Sequence, residues 1–222
     1  MAAIAEQIED SNVQHVGRIG EGGAEQNCPR ASLGRGRCRK LCPSPILSVT
    51  ADVGEELLAA AYLLLSHDRL LDVVFYDRKP SIREFLGWLA LPNSRYLAGF
   101  VGEGASSELA GLGWLWNCTG PDGGRRADVG IVYLKKFWGS EITDALTSKM
   151  LDVTFGPLKV DIIYATTMWS NRLSRGIAKR MGFEMFGPLP KYGMVHGKPG
   201  DAAIGYLTRE RWQEVSSDLQ GL

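Results

Sequence analysis

The feature that most constrains the fold of this chain is the segment IVYLKKFWGSEITDAL, residues 131–146, which begins as an apolar strand and ends as a helix. A helix that starts directly after a turn leaves backbone N–H groups without intrahelical partners, and these groups and the helix dipole attract anions. Lys135 and Lys136 add positive charge to the turn, and Gly139 allows a ligand close to the backbone. The segment therefore predicts an anion-binding turn, with a purely structural turn as the alternative.

The elements around this turn predict a mixed α/β fold with a mostly antiparallel sheet flanked by helices. Strands at 95–101, 109–118 and 127–134 are joined by hairpin-length loops, which favours antiparallel pairing. The other predicted elements are a strand at 46–50, a helix from 52, helices at 81–91 and 140–155, a strand at 161–168, a helix at 171–181 and a closing hairpin. No G-x-G-x-x-G motif follows a strand, so a Rossmann-type nucleotide enzyme fits poorly.

Four local details also follow from the residue pattern. Asp52 and Glu55 have the spacing of a capping box at the start of the first helix. The apolar residues expected to face the core from that helix are Val53, Leu57, Ala61, Leu64 and Leu65. The helix at 171–181 is expected to end at Gly182 and to bury Leu173, Ile177 and Met181. The last hairpin is expected to turn at KPGD, residues 198–201.

The balance of charges argues against partners that would be attracted by the net charge of the molecule. Lys and Arg number 25, as do Asp and Glu, so no net charge attracts the chain to nucleic acid or to a membrane. The longest apolar run, Leu57–Leu65, is far below the roughly 20 residues of a membrane span. The N-terminus, MAAIAEQIEDSNVQHVG, carries acids and lacks a signal-peptide pattern. We therefore expect a cytoplasmic protein.

The composition predicts two parts, an irregular or disordered basic extension at 1–45 and one folded domain at 46–222. The extension is rich in Gly, Pro and Arg and has no apolar periodicity. Its cysteines, Cys28, Cys38 and Cys42, could form a zinc site with His15, but zinc sites favour closer ligand pairs, so reduced thiols and no metal are expected. The basic segment 28–45 leaves contact with nucleic acid open, although a solvated linker explains it more simply.

Three stretches in the second part resemble a known family. They are ADVGIVYLKKFWG at 127–139, NRLSRGIAKRMGFEMFG at 171–187 and HGKPGDAAIGYLTRERW at 196–212. In order and spacing they are similar to the GNAT superfamily of acetyl-CoA-dependent N-acetyltransferases, and most similar to the branch that acetylates the N-termini of ribosomal proteins. The resemblance covers roughly residues 46–215. It implies transfer of an acetyl group from acetyl-CoA to a primary amine, on a protein N-terminus or a small molecule, in a direct ternary complex.

The resemblance also implies where acetyl-CoA binds. In this fold the fourth and fifth strands diverge, and the acyl-CoA arm lies in the gap. The residues implied for the strand edge and the pyrophosphate turn are Ile131, Val132, Leu134, Lys135, Lys136, Phe137, Trp138, Gly139 and Ser140. Asn171 of the helix motif and Arg175 are also implied, with Arg172, Lys179 and Arg180 as further cations that either meet the nucleotide or remain solvated.

For catalysis, the resemblance implies Asp128 as general base and Ser174, or a bound water, as the group that protonates the departing thiolate. Many members of the superfamily use a tyrosine for the latter role, at the position that is Ala178 here. Trp114 and Trp116 share one face of a strand and either wall the acceptor site or belong to the core. Tyr192 and His196 are candidates on the acceptor side. The acceptor's identity and the choice between a monomer and a homodimer remain open.

Two departures from the family pattern favour an alternative function. Glu141 stands where a small residue is usual, and the turn is one residue short. A carboxylate about 6 Å from a pyrophosphate costs on the order of 3 kcal/mol at an effective dielectric near 20. With Ala178 and the basic segment, these features suggest a non-catalytic GNAT-like protein that binds protein or nucleic acid.

Overall fold

A computed structural model describes the backbone of residues 46–75, 79–88, 91, 93–118, 125–195 and 197–220. All of these residues lie within one compact unit of the chain, Pro45–Leu222. The predicted extension, with Cys28, Cys38, Cys42 and His15, lies outside the described residues, and so does His196. The predicted division at residue 45 therefore stays a prediction. Among the described helices, none combines the length and the apolar character that a membrane span requires.

The described residues form six α-helices and seven β-strands. The helices are α1 (Glu55–His67), α2 (Leu71–Val74), α3 (Ile82–Gly87), α4 (Glu141–Phe155), α5 (Arg172–Arg180) and α6 (Arg209–Gln220). The strands are β1 (Leu47–Thr50), β2 (Arg95–Val101), β3 (Glu108–Trp116), β4 (Arg126–Tyr133), β5 (Ile162–Met168), β6 (Glu184–Val195) and β7 (Lys198–Thr208). The predicted elements occur in the predicted order, but two further helices, α2 and α6, were not predicted.

One seven-stranded sheet, with strand order β1-β2-β3-β4-β5-β7-β6, organises the described residues. Neighbouring strands are antiparallel except β4 and β5, which are parallel and are connected through α4. A parallel pair needs such a crossover connection, whereas β2 and β3 need only a short loop. The predicted mixed α/β fold with a mostly antiparallel sheet is thus confirmed.

The core lies mainly on one face of the sheet. Leu115, Ala127, Ile163 and Leu207 come from four neighbouring strands and pack against α4 and α6. From the helices, the residues of this cluster include Leu151, Phe155 and Trp212. On the opposite face, α1 to α3 cover β2 and β3 through an aromatic cluster in which Phe75 stacks on Trp114 with ring centroids 6.2 Å apart.

The predicted capping box at Asp52 is wrong. Helix α1 begins at Glu55 after an extended Gly54, and no side chain caps it. Asp52 instead donates its backbone N–H to the Thr50 hydroxyl at 3.0 Å, a local bond that competes with helix formation. A complete capping box, which was not predicted, occurs at α3 between Ser81 and Glu84.

Three further local expectations need correction. Helix α1 buries Leu58, Ala61, Tyr62 and Leu65, whereas Leu64 is exposed, because packing on the sheet selects a stripe rotated from the predicted one. Leu173 is 55% exposed, although Met181 is buried as expected. The last hairpin turns before Lys198 rather than at 198–201, next to Gly197 with φ of +75°, because glycine adopts that conformation without strain. The cap at Gly182, with φ of +87°, is confirmed.

Candidate active site

Strands β4 and β5 separate partway along their length. They pair from Arg126 opposite Ile162 to Val129 opposite Ala165, and no further. Beyond that point β4 continues beside β3 as far as Tyr133, and β5 continues beside β7 as far as Met168. Each strand therefore has an edge without a strand partner, and the two edges bound a gap in the middle of the sheet.

The hydrogen bonds of β4 show which backbone groups face this gap. Leu134 donates its N–H to Ala110 at 2.9 Å, on the β3 side. Backbone groups of successive residues in a strand point to opposite sides. Those of Val132 therefore also face β3, whereas those of Ile131 and Tyr133 face the gap.

Of the strand-edge residues implied by the sequence, only Ile131 thus offers its main chain to the gap. Tyr133 was missed, because the side to which a residue's N–H points depends on pairing with β3 that no local pattern reveals. The side chains of Val132, Tyr133 and Leu134 are all buried. These side chains pack beneath the strand edge. A ligand in the gap would therefore be recognised by the backbone of Ile131 and Tyr133.

The turn after β4 exposes backbone donors. Lys135–Phe137 forms a single 3₁₀ turn, and α4 begins at Glu141 without a side-chain cap. The Phe137 carbonyl accepts the hydroxyls of Ser140 and Thr143, both at 2.5 Å. Within the described part of the chain, the N–H groups of Gly139 and Ile142 have no hydrogen-bond partner. Such free donors at a helix N-terminus suit an anion.

Gly139 itself is open to a ligand. Its φ of +68° lies in the left-handed region, and a Cβ added there would meet no atom within 4 Å. The side chain of Glu141, at the first residue of α4, is exposed, so solvent screening reduces the repulsion that the sequence analysis anticipated. The glycine turn can therefore admit an anion despite this acid.

The two lysines of the turn have different surroundings. Lys136 forms an ion pair with Glu108 and lies 5.2 Å from the centroid of the Phe137 ring. The main chain of Lys135 donates to Asp68 at 3.1 Å, which ties the turn to the end of α1, while its side chain is exposed. Lys135 is thus the better placed of the two to meet a ligand charge.

Trp138 closes the end of the gap. Its indole Nε1 donates to the Tyr133 carbonyl at 2.7 Å, so the last gap-facing carbonyl of β4 already has a partner. Its side chain is nevertheless 43% exposed, whereas Phe137 is buried beneath the turn. The polar backbone groups of β4 that face the gap and stay available to a ligand are the N–H and carbonyl of Ile131 and the N–H of Tyr133.

Helix α5 starts at the same end of the sheet, directly after β5. Asn171 caps it by accepting the Ser174 N–H at 3.1 Å. The Arg175 guanidinium lies 4.0 Å from the centroid of the Trp169 ring, and its Nε is buried without a partner among the described residues. Arg180 makes a bidentate ion pair with Asp144 of α4, at 2.7 and 2.8 Å. Arg180 is therefore engaged by an acid, whereas Arg175 has no ion-pair partner among the described residues.

Asp128 lies one residue before the point where β4 and β5 part. Its carboxylate is exposed and accepts a hydrogen bond from Asn117 Nδ2 at 2.6 Å. In the sheet it stands opposite Trp116 of β3 and Tyr164 of β5. Ser174, the other implied catalytic residue, is half-buried in the first turn of α5. An exposed carboxylate at the vertex of the gap can accept a proton from a group held there.

The aromatic residues implied for the acceptor differ in exposure. Trp114 is buried and covers Gly130, where an added Cβ would lie 2.1 Å from its ring. Trp116 is half-buried, and Tyr192 on β6 is 58% exposed. Burial raises the pKa of Tyr96, against the opposing effect of the nearby Trp116 N–H. Neither polar atom has a hydrogen-bond partner of normal geometry among the described residues.

Comparison with known proteins identifies the domain. The model of the acetyltransferase (GNAT) domain matches residues 58–184, which is more than half of the chain. No curated protein sequence matches significantly. A spermidine N-acetyltransferase from Vibrio cholerae, solved with CoA and spermine, has a TM-score of 0.63 and 18% identity, covering 75% of this chain and 98% of its own. RimJ of Mycobacterium smegmatis, solved with CoA-disulfide, has a TM-score of 0.61 and 18% identity over 79% and 93%.

Proposed function

Because the chain belongs to the GNAT acetyltransferase family, we propose that it transfers an acetyl group from acetyl-CoA to a primary amine by direct attack in a ternary complex. The chain is thus an enzyme of the acyltransferase class, as the sequence resemblance implied. The observation that supports the donor most strongly is the separation of β4 and β5 beside a turn with free N–H groups. A strand edge and an anion turn match the amide-containing arm and the pyrophosphate of CoA.

Acetyl-CoA is proposed to bind along β4. The amides of its arm pair with the N–H and carbonyl of Ile131 and with the N–H of Tyr133, as an added strand would. The pyrophosphate lies at the N-terminus of α4, against the N–H groups of Gly139 and Ile142, with Lys135 nearby. Arg175, whose guanidinium lies over the Trp169 ring, is proposed to meet the nucleotide portion from the α5 side.

The reaction itself needs a base, an acid and correct placement. The acceptor arrives as an ammonium, and Asp128 takes one proton so that the free amine can attack the thioester carbonyl. The nitrogen of the tetrahedral intermediate then loses its second proton, which reaches the departing thiolate through Ser174 or a water that it holds, so that the neutral amide and the free thiol of CoA form. Holding the amine against the thioester supplies most of the acceleration, since it replaces a bimolecular encounter by a preorganised one.

The acceptor is proposed at a coarser level. The sequence motifs are most similar to the ribosomal-protein branch, which supports a protein N-terminus. The Vibrio structure contains spermine, which supports a small amine. Both acceptors present an ammonium group, so the same base serves either. The cytoplasm remains the proposed location.

Calorimetry with acetyl-CoA tests the donor site, and the first prediction concerns Gly139→Asp. A carboxylate about 5 Å from the pyrophosphate costs on the order of 3 kcal/mol at an effective dielectric near 20. We therefore expect affinity to fall about 100-fold or more. The protein itself should stay folded, because no atom lies near the added side chain and Asp tolerates a positive φ.

The matched control is Gly139→Asn, which has the same shape without the charge and should weaken binding much less. Undiminished affinity of Gly139→Asp would place the donor elsewhere. Absence of heat from the unmodified protein at millimolar acetyl-CoA would contradict the transferase proposal and favour the non-catalytic alternative.

A further inference from the structure

The sheet carries a row of polar and aromatic side chains on the face opposite the core cluster. Asp128 of β4 stands opposite Tyr164 of β5, Tyr164 opposite Tyr206 of β7, and Tyr206 opposite Glu184 of β6. Residues directly opposite one another in a sheet share a face. Asp128 and Glu184 are exposed, and the two tyrosines are half-buried. We refer to these four residues as the cross-strand row.

The cross-strand row lies at the vertex of the gap. Its first two members, Asp128 and Tyr164, stand one residue before the last β4–β5 pair, Val129 opposite Ala165. A thioester held in the gap would therefore end beside Asp128 and Tyr164. The rest of the row leads away from that point across β7 to β6, on a surface that solvent reaches.

The far end of the row consists of two stacked aromatic rings beside a carboxylate. We refer to the rings of Phe186 and Tyr206 as the Phe186–Tyr206 ledge. Tyr206 donates its hydroxyl to Glu184 Oε2, and Phe186 stacks on the Tyr206 ring with centroids 6.1 Å apart and planes 16° apart. Phe186 is itself 50% exposed. The bond to Glu184 raises the pKa of Tyr206, which keeps the phenol a hydrogen-bond donor. Exposed aromatic faces beside a carboxylate are suited to a cation.

We infer that the acceptor carries a second positive charge, which binds at Glu184 and the Phe186–Tyr206 ledge while its reacting amine lies beside Asp128. Three strand spacings separate these two acids, or about 14 Å between their Cα positions. An extended molecule that lies across the strands can therefore touch both. Arg126 shares this face but occupies the adjacent row on the side away from the gap. The inference rests on the proposed function and specifies its substrate class.

Two amines of equal chain length isolate the second charge: octamethylenediamine and octylamine. With acetyl-CoA and release of free thiol as the readout, the unmodified protein should acetylate the diamine with a kcat/KM at least about fivefold higher. Glu184→Gln should lower kcat/KM for the diamine about fivefold, through KM, and should leave octylamine unchanged. The matched control is Glu103→Gln, which removes one exposed acid from the β2–β3 loop and should change neither amine.

Equal loss on both amines in Glu184→Gln, or no preference of the unmodified protein for the diamine, would overturn the second-charge site. Failure to acetylate the diamine at all would overturn it as well. The proposed transferase function is decided separately by acetyl-CoA calorimetry, so a protein that binds the donor normally but shows no diamine preference contradicts only this inference.

Discussion

Tyr133 is the residue that links the gap to the core. Its backbone N–H faces the gap, while its buried side chain shares a hydrogen bond of 2.7 Å with Thr147 of α4. The ring also fills the space over Gly111, where an added Cβ would lie 2.4 Å from it. Burial, opposed by the bond to Thr147, strongly raises the pKa of Tyr133. The folded protein therefore resists ionisation of this phenol more than the unfolded chain does.

Tyr133→Phe should cost about 1 kcal/mol of unfolding free energy at neutral pH, because one buried hydrogen bond is lost. The sign of the pH effect follows from the raised pKa. Stability is complete below the unfolded-state pKa of about 10 and declines above it, by about 1.4 kcal/mol per pH unit, because the unfolded chain loses the proton first. Urea denaturation at neutral and alkaline pH should show that the phenylalanine variant lacks this part of the decline.

The control for that measurement is Tyr192→Phe, which removes a hydroxyl from an exposed ring and should match the unmodified protein at both pH values. If Tyr133→Phe showed the same alkaline decline as the unmodified protein, the buried phenol would not be its source.

The residue types in the turn predicted its chemistry better than they predicted its geometry. Gly139 and Lys135 were recognisable because a glycine and a cation at the start of a helix have a local meaning. The ion pair that engages Lys136 was not recognisable, because Glu108 lies on another strand far away in the chain. Charges that find partners through folding cannot be assigned from their neighbours in sequence.

At the scale of elements, helix α5 depends on its ends. None of its described residues is buried. Ile177 packs partly buried against the core cluster, and the ends of the helix are held by the Asn171 cap, by Gly182 and by the Arg180–Asp144 ion pair. A helix with so little buried surface loses a large share of its stability when a cap is removed.

Asn171→Ala should destabilise the protein by about 1 kcal/mol and Asn171→Ser by much less, because serine also caps helices. Hydrogen exchange of the amides in Arg172–Arg180 should accelerate in the alanine variant alone, and the affinity for acetyl-CoA should fall with it. Equal exchange in the two variants would show that the cap does not hold this helix.

Strands β1 to β5 and the starts of α3, α4 and α5 were predicted closely, whereas the start of α1 was not. β2 occupies the predicted residues, and β4 differs by one at each end, because apolar runs between turn residues are a strong local signal. Asp52 looked like a cap, yet its main chain bonds to Thr50 and the helix begins later. Several side chains can compete for the same few N–H groups at the start of a helix, and packing determines which of them caps it.

At the scale of the whole molecule, the described strands pair with one another in a single sheet that begins at Leu47 and ends at Thr208. None of these pairings uses a residue before Leu47. We therefore expect a chain that lacks residues 1–44 to fold and to bind acetyl-CoA as the full chain does. Thermal melting should give midpoints that differ by less than about 4 °C, the shift that 1 kcal/mol produces in a domain of this size.

The full chain and the truncated chain should also be compared in a gel-shift assay with nucleic acid. If the basic segment 28–45 contacts nucleic acid, the full chain should retard it and the truncated chain should not. A truncated protein that fails to fold would contradict the predicted division into an extension and a domain.

The sequence by itself determined the kind and order of most elements, the cationic glycine turn and the family motifs, because propensity, periodicity and capping act over a few neighbouring residues. Only the tertiary structure decided where β4 and β5 part, which amides face the gap, and that Asp128, Tyr164, Tyr206 and Glu184 form one row. The physical reason is that alternation along a strand says which residues share a face but not which residue of a distant strand lies opposite. Register is settled by packing of the whole sheet, and the proposed donor and acceptor sites depend on it.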